Sequence, residues 1–119
     1  MKPNDLLFVY GTLRKGGRLH HFLDGCEFQQ AGTITGTMFS LGYCPAITLH
    51  GEHTIHGELY RLGNREQINS INRLEAGYDC EQVDVDGNPA WVFHMSSKDL
   101  DQLPVIEDGD WLQYAKDQE

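Results

Sequence analysis

Two short segments carry residues whose types and spacing suit chemistry. The first is Phe8-Val9-Tyr10-Gly11-Thr12-Leu13-Arg14, an apolar run that passes directly into a glycine turn. Gly11 is free to adopt positive φ, which lets successive backbone N–H groups converge on one point. A nest of this kind binds a carboxylate or a phosphate without any charged side chain. An ordinary turn is the plainer reading of a strand followed by glycine. It is no Walker A loop, because Gly16-Gly17 is followed by Arg18-Leu19 and not by Lys and Ser or Thr. The second segment precedes Ala76-Gly77. Ile68, Ile71 and Glu75 stand at i, i+3 and i+7, so at about 100° per residue Glu75 falls angularly between the two isoleucines. On an intact helix it faces the core, where burial and the negative helix C-terminus both raise a carboxyl pKa toward the range of a general acid/base. If the helix frays after Leu74, Glu75 turns to solvent and has no such role. The pattern alone leaves both readings open.

Other chemistry-bearing residues are less persuasive. His50, His53 and His56 invite a metal reading, but Gly51 breaks any helix there and the spacing does not converge on a strand. They read as surface histidines, and no metal site is assigned. Cys80 and His94 sit on the two arms of a hairpin with nothing around them to activate a thiol. The three cysteines, Cys26, Cys44 and Cys80, are an odd, widely spaced set without CxxC. They read as reduced thiols of a cytoplasmic protein, not as a disulfide framework or a zinc site.

The elements that must position these residues are legible in outline. Leu6 to Tyr10 predicts a buried strand, and a short helical piece follows around Leu19 to Leu23. Gln29 to Leu41 predicts a strand kinked at Gly32 or Gly36, while Pro45 demotes Tyr43 to Leu49 to a loop or an edge strand. Thr54 to Leu62 alternates as a strand, with Ile55, Gly57 and Leu59 on one face. Asn64-Arg65-Glu66-Gln67 has the form of a capping box, and the helix it starts stops at Ala76-Gly77 with glycine at C′. Cys80 to Val85 and Ala90 to Met95 form a hairpin about Asp86-Gly87-Asn88-Pro89, and a late element lies near Asp110-Trp111-Leu112. Many strands with one clear helix predict an α+β fold, a small mixed β-barrel, closed or half-closed, with a helix against it.

Composition bounds the rest. The 119 residues suit one domain, 1–119, and hydrophobic residues at 39% are enough for one packed core. A net charge of −9 with scattered Lys and Arg repels phosphate backbones and argues against a nucleic-acid partner. No apolar stretch has the length of a membrane span, and Met1-Lys2-Pro3-Asn4-Asp5 lacks the pattern of a secretory signal, so neither a membrane role nor export is expected.

Four blocks carry a family resemblance. Val9-Tyr10-Gly11-Thr12-Leu13-Arg14-Lys15-Gly16, with His20 or His21 soon after, resembles the N-terminal signature of γ-glutamylcyclotransferase-like proteins, especially the γ-glutamylamine cyclotransferase branch and its bacterial relatives. Leu41-Gly42-Tyr43-Cys44-Pro45-Ala46 is similar to the family's Tyr-Pro loop, here split by Cys44. Gly57-Glu58-Leu59-Tyr60 and Ile71-Asn72-Arg73-Leu74-Glu75-Ala76-Gly77-Tyr78 follow in family order, with Asn72 where Asp is more usual. The resemblance implies a small barrel flanked by helices with its pocket at one mouth. It also implies backbone of Tyr10 to Leu13 holding a substrate α-carboxylate and Glu75 as the catalytic acid/base. Tyr78 lines the pocket or contacts substrate on this reading, and core packing explains it equally well. The implied reaction converts a small γ-glutamyl substrate to 5-oxoproline and an amine, with no metal or cofactor. The rival is a module that binds a γ-glutamyl or carboxylate ligand in the same pocket without turnover.

Overall fold

The computed structural model describes residues 1–119, and its centre is the strand the sequence marks most clearly. β1 (Leu6–Val9) is followed by a one-turn 3₁₀ helix (His20–Leu23), then β2 (Glu27–Ser40) and β3 (Pro45–Arg61). The helix α1 (Arg65–Leu74), the hairpin β4 (Asp79–Val85) and β5 (Asn88–His94), and the short helices α2 (Ser97–Leu100) and α3 (Trp111–Asp117) complete the chain. The five strands form one mixed sheet in the order β2-β3-β1-β5-β4. β1 is antiparallel to β3, with Leu6 opposite Arg61 and Val9 opposite Glu58, and parallel to β5, with Leu7 opposite Trp91.

Both faces of β1 are covered, which is why its sequence reads as an unbroken apolar run rather than an alternation. Leu7 and Val9 pack with Ile68 and Ile71 of α1, and with Leu62 and Phe93. Phe8 and Tyr10 point to the other side, among Met38, Ile47, Ile55, Leu59 and Trp111. The α+β class is as expected, but the sheet does not close into a barrel, because β2 and β4 remain separate edges. It curls instead. Thr37 pairs with Thr48 but Gly36 pairs with His53, so residues 49–52 bulge out of β3. Gly36 is required there, since a Cβ would stand 2.4 Å from Thr48 O. The distal half of the hairpin folds back far enough for Ile47 O to accept from Met95 N at 2.9 Å. The β2 edge is partly covered as well, where Ser40 N donates to Pro104 O and Ile106 N to Met38 O.

Two local expectations need correction. Of Tyr43 to Leu49, Tyr43 and Cys44 are loop as expected, but Pro45 begins β3, and Ala46 and Ile47 are fully buried. Proline is tolerated at the first residue of a strand, where no ladder donor is demanded of it. The capping box is only half formed. Asn64 Oδ1 accepts from Gln67 N at 2.9 Å, but the Gln67 side chain reaches to the carbonyls of Phe22 and Asp24 instead of to the cap. It thereby ties the start of α1 to the 3₁₀ turn.

Candidate active site

The end of β1, the turn into β3 and the end of α1 meet around one cavity of about 520 Å³. Its walls are mostly apolar, and Arg18 and Glu75 are the only charged side chains that line it. The 10–13 loop, Pro45, Glu75 and Tyr78 all face the same space.

Gly11 is needed here for a different reason from the one the sequence suggests. Its φ is not positive. A Cβ on it would lie 2.6 Å from Cγ and 2.8 Å from Cδ of Pro45, so only glycine lets the start of β3 lie against the loop. Tyr78 fastens the same contact, its hydroxyl donating to Pro45 O at 2.9 Å with Cys44 Sγ 3.7 Å away. Tyr10 is buried and its hydroxyl donates to Phe93 O at 2.6 Å, which fixes the loop's first residue to β5. Farther along, Leu13 O lies 2.8 Å from His20 Nδ1, and Leu19 N donates to Thr12 O at 3.0 Å. The turn bonds around the loop employ the N–H groups of Arg14, Gly17 and Leu19 but not those of Gly11, Thr12 and Leu13. These three residues are nonetheless buried. Their amides have no acceptor within the fold and the residues line the cavity, so a ligand acceptor fits them.

Glu75 combines both readings of its segment. The helix does end at Leu74, so Gly77, expected at C′, stands one position past it and takes the positive φ of 99°. Yet Glu75, as the C-cap with φ −96° and ψ 18°, is half-buried and lines the cavity instead of turning out to water. Burial alone raises its carboxyl from 4.5 to about 7, with no cation or hydrogen-bond donor opposing the rise. Burial also pushes Tyr10, Tyr78 and Cys44 upward, away from neutrality, so among these neighbours Glu75 is the group brought near pH 7.

An ion-pair network absent from the sequence reading holds the loop from behind. Arg14 Nε lies 2.5 Å from Glu58 Oε2, and its Nη1 lies 3.1 Å from Asp110 Oδ1. The second oxygen of Glu58 accepts from Lys15 N at 2.9 Å. Asp110 also caps α3, accepting from Gln113 N. Glu58 is 7% exposed, and it shares a strand face with buried Tyr60 and Leu62. A carboxylate at i, i+2 and i+4 spacing with two large apolar residues, hence on their face, was the available signal for it. The Cys80 and His94 positions separate across the hairpin. Cys80 stands opposite Phe93, while His94 stands opposite Asp79, its Nε2 2.8 Å from Glu81 Oε2.

The chain is also similar to known proteins in sequence and fold. The chain matches the family described as "Gamma-glutamyl cyclotransferase, AIG2-like" over residues 7–113. It is 28% identical over 113 residues to the gamma-glutamylcyclotransferase family protein YtfP of Escherichia coli K12, spanning 92% of this chain and 98% of that one. Among solved structures it superposes on protein PH0828 from Pyrococcus horikoshii with a TM-score of 0.79 at 28% identity, covering 96% of this chain and 95% of the other. YkqA from Bacillus subtilis gives a TM-score of 0.76 at 31% identity, covering 98% of this chain but 43% of that longer one. The chain belongs to the gamma-glutamyl cyclotransferase, AIG2-like family.

Proposed function

We propose that the protein is a γ-glutamylcyclotransferase that releases 5-oxoproline and an amine from a small γ-glutamyl compound, with Glu75 as the acid/base. The observation that carries this reading is the shared cavity. It is lined both by a carboxylate raised to about 7 and by a loop with three amides unused within the fold.

The substrate α-carboxylate accepts from the amides of the Tyr10-Gly11-Thr12-Leu13 loop, which needs no charged side chain. Anchored there, the γ-glutamyl chain curls so that its α-amine meets its own γ-carbonyl. Nucleophile and electrophile are already tethered, so the enzyme's main task is to select the ring-closing geometry. As the new C–N bond forms, Glu75 takes a proton from the attacking amine. It then returns that proton to the leaving nitrogen as the original C–N bond breaks, leaving the ring closed and the amine free. A carboxyl with a pKa near 7 serves in both directions at neutral pH. The developing oxyanion takes a loop amide that the carboxylate leaves free. Tyr78 has its hydroxyl proton committed to Pro45 O, so it forms a wall of the site and meets substrate through its ring or an oxygen lone pair.

The test is a set of γ-glutamyl amides assayed for released 5-oxoproline with wild type and Glu75→Gln. Wild type is expected to turn over at least one of them, and the variant to lose about 10³-fold in kcat while still binding. Ligand binding by wild type without 5-oxoproline supports the non-catalytic module instead.

A further inference from the structure

Building on the cyclotransferase reading, we infer that Arg18 is a specificity residue that recognises a carboxylate on the leaving group. The preferred substrates are then γ-glutamyl amino acids or peptides, and not γ-glutamyl polyamines. Arg18 is the only cation lining the cavity. It also lines a second hollow of about 630 Å³, with Thr12 and Tyr43 shared between the two, so it stands where the two spaces adjoin. Its Nη2 donates to Tyr43 O at 3.1 Å, and its guanidinium carbon lies 6.0 Å from the centre of the Tyr43 ring. These contacts hold the planar group at the rim while occupying one of its five N–H donors.

The charge pattern makes the position selective. The chain has 18 acidic residues against nine basic ones, yet no carboxylate lies within ion-pair distance of Arg18. Arg14, four residues earlier, is held by both Glu58 and Asp110. Tyr43 is 69% exposed, the most exposed large apolar side chain of the chain, and it supplies a flat surface beside the cation. An amino-acid leaving group brings a carboxylate to this rim, whereas a polyamine brings a positive charge that Arg18 repels.

The test compares γ-glutamylalanine with γ-glutamylethylamide, which lacks only the leaving-group carboxylate. Wild type is expected to favour the former by about tenfold in kcat/KM, mostly through KM, because the contact is present before and during reaction. Arg18→Gln is expected to bring that ratio close to one, and Arg18→Lys to keep part of it. Added salt should shrink the wild-type preference. Equal use of both compounds by wild type overturns this inference alone, as does a parallel fall for both in Arg18→Gln, the mark of a merely structural role. Release of 5-oxoproline from a γ-glutamyl polyamine but from neither of these compounds also overturns this inference alone, whereas release from no γ-glutamyl amide of the wider set overturns the cyclotransferase reading and this inference with it.

Discussion

A carboxylate removed from water with no cation beside it holds its proton more tightly, and Glu75 is such a group. The folded protein keeps that proton to a higher pH than the unfolded chain does. Its contribution to stability is therefore full below 4.5, falls across the window up to about 7, and is gone above it. Relative to wild type, Glu75→Gln should gain on the order of 2 kcal/mol between pH 4.5 and pH 8, after discounting for the half-exposed side chain. Urea midpoints at several pH values measure this, and parallel wild-type and variant curves would contradict it. The position of Glu75 was half legible in the sequence. Helical spacing pointed it inward, but only the C-cap geometry shows how a residue just past the helix can still line the cavity. Arg18 was not legible as part of the site, because its meaning depends on Tyr43, which a separate turn brings to it.

The loop after β1 is shaped by what presses on it. A methyl on Gly11 meets the Pro45 ring, which cannot swing aside as a flexible chain end would. Gly11→Ala is accordingly expected to cost about 1–3 kcal/mol and to lower turnover together with stability. Thermal melts and 5-oxoproline assays on the same sample test this. The Arg14–Glu58 pair is a sharper case. Arg14→Ala strands a carboxylate that is 7% exposed, a change that costs about 3–5 kcal/mol when a buried pair loses one partner. A denaturant midpoint unchanged by Arg14→Ala would show the pair to be incidental. The apolar run, the Asn64 cap and the Asp86-Gly87 turn marked most elements, because each is a local signal, although Asn88 and Pro89, expected in the turn, already belong to β5. Strand Pro45–Arg61 was misread at its start because its burial comes from the folded-back hairpin and β5, contacts distant in sequence.

At the scale of the molecule, one central strand covered on both faces carries the site at its end, and the curl of a long hairpin brings the opposite wall to it. Of the closed or half-closed barrel expected from the strand count, the sheet is not the closed form, since strand alternation marks which faces are apolar but not whether the last strand meets the first. No helix is long and apolar enough to cross a membrane. Hydrogen exchange should be slowest in β1 and in the half of β3 paired with it, and fast in the bulge at 49–52. Rapid exchange of Leu7 and Phe8 amides would contradict this account of the core. These features meet in one arrangement, a carboxyl raised to about 7 and amides unused within the fold lining the same apolar cavity. The most direct measurement of it is the pH dependence of kcat/KM for 5-oxoproline release. The acidic limb should break near pH 7, where Glu75 loses its proton, and should vanish with the residual rate of Glu75→Gln. A wild-type limb that breaks near 4.5, or one that Glu75→Gln leaves in place, would show that this carboxyl does not move the proton.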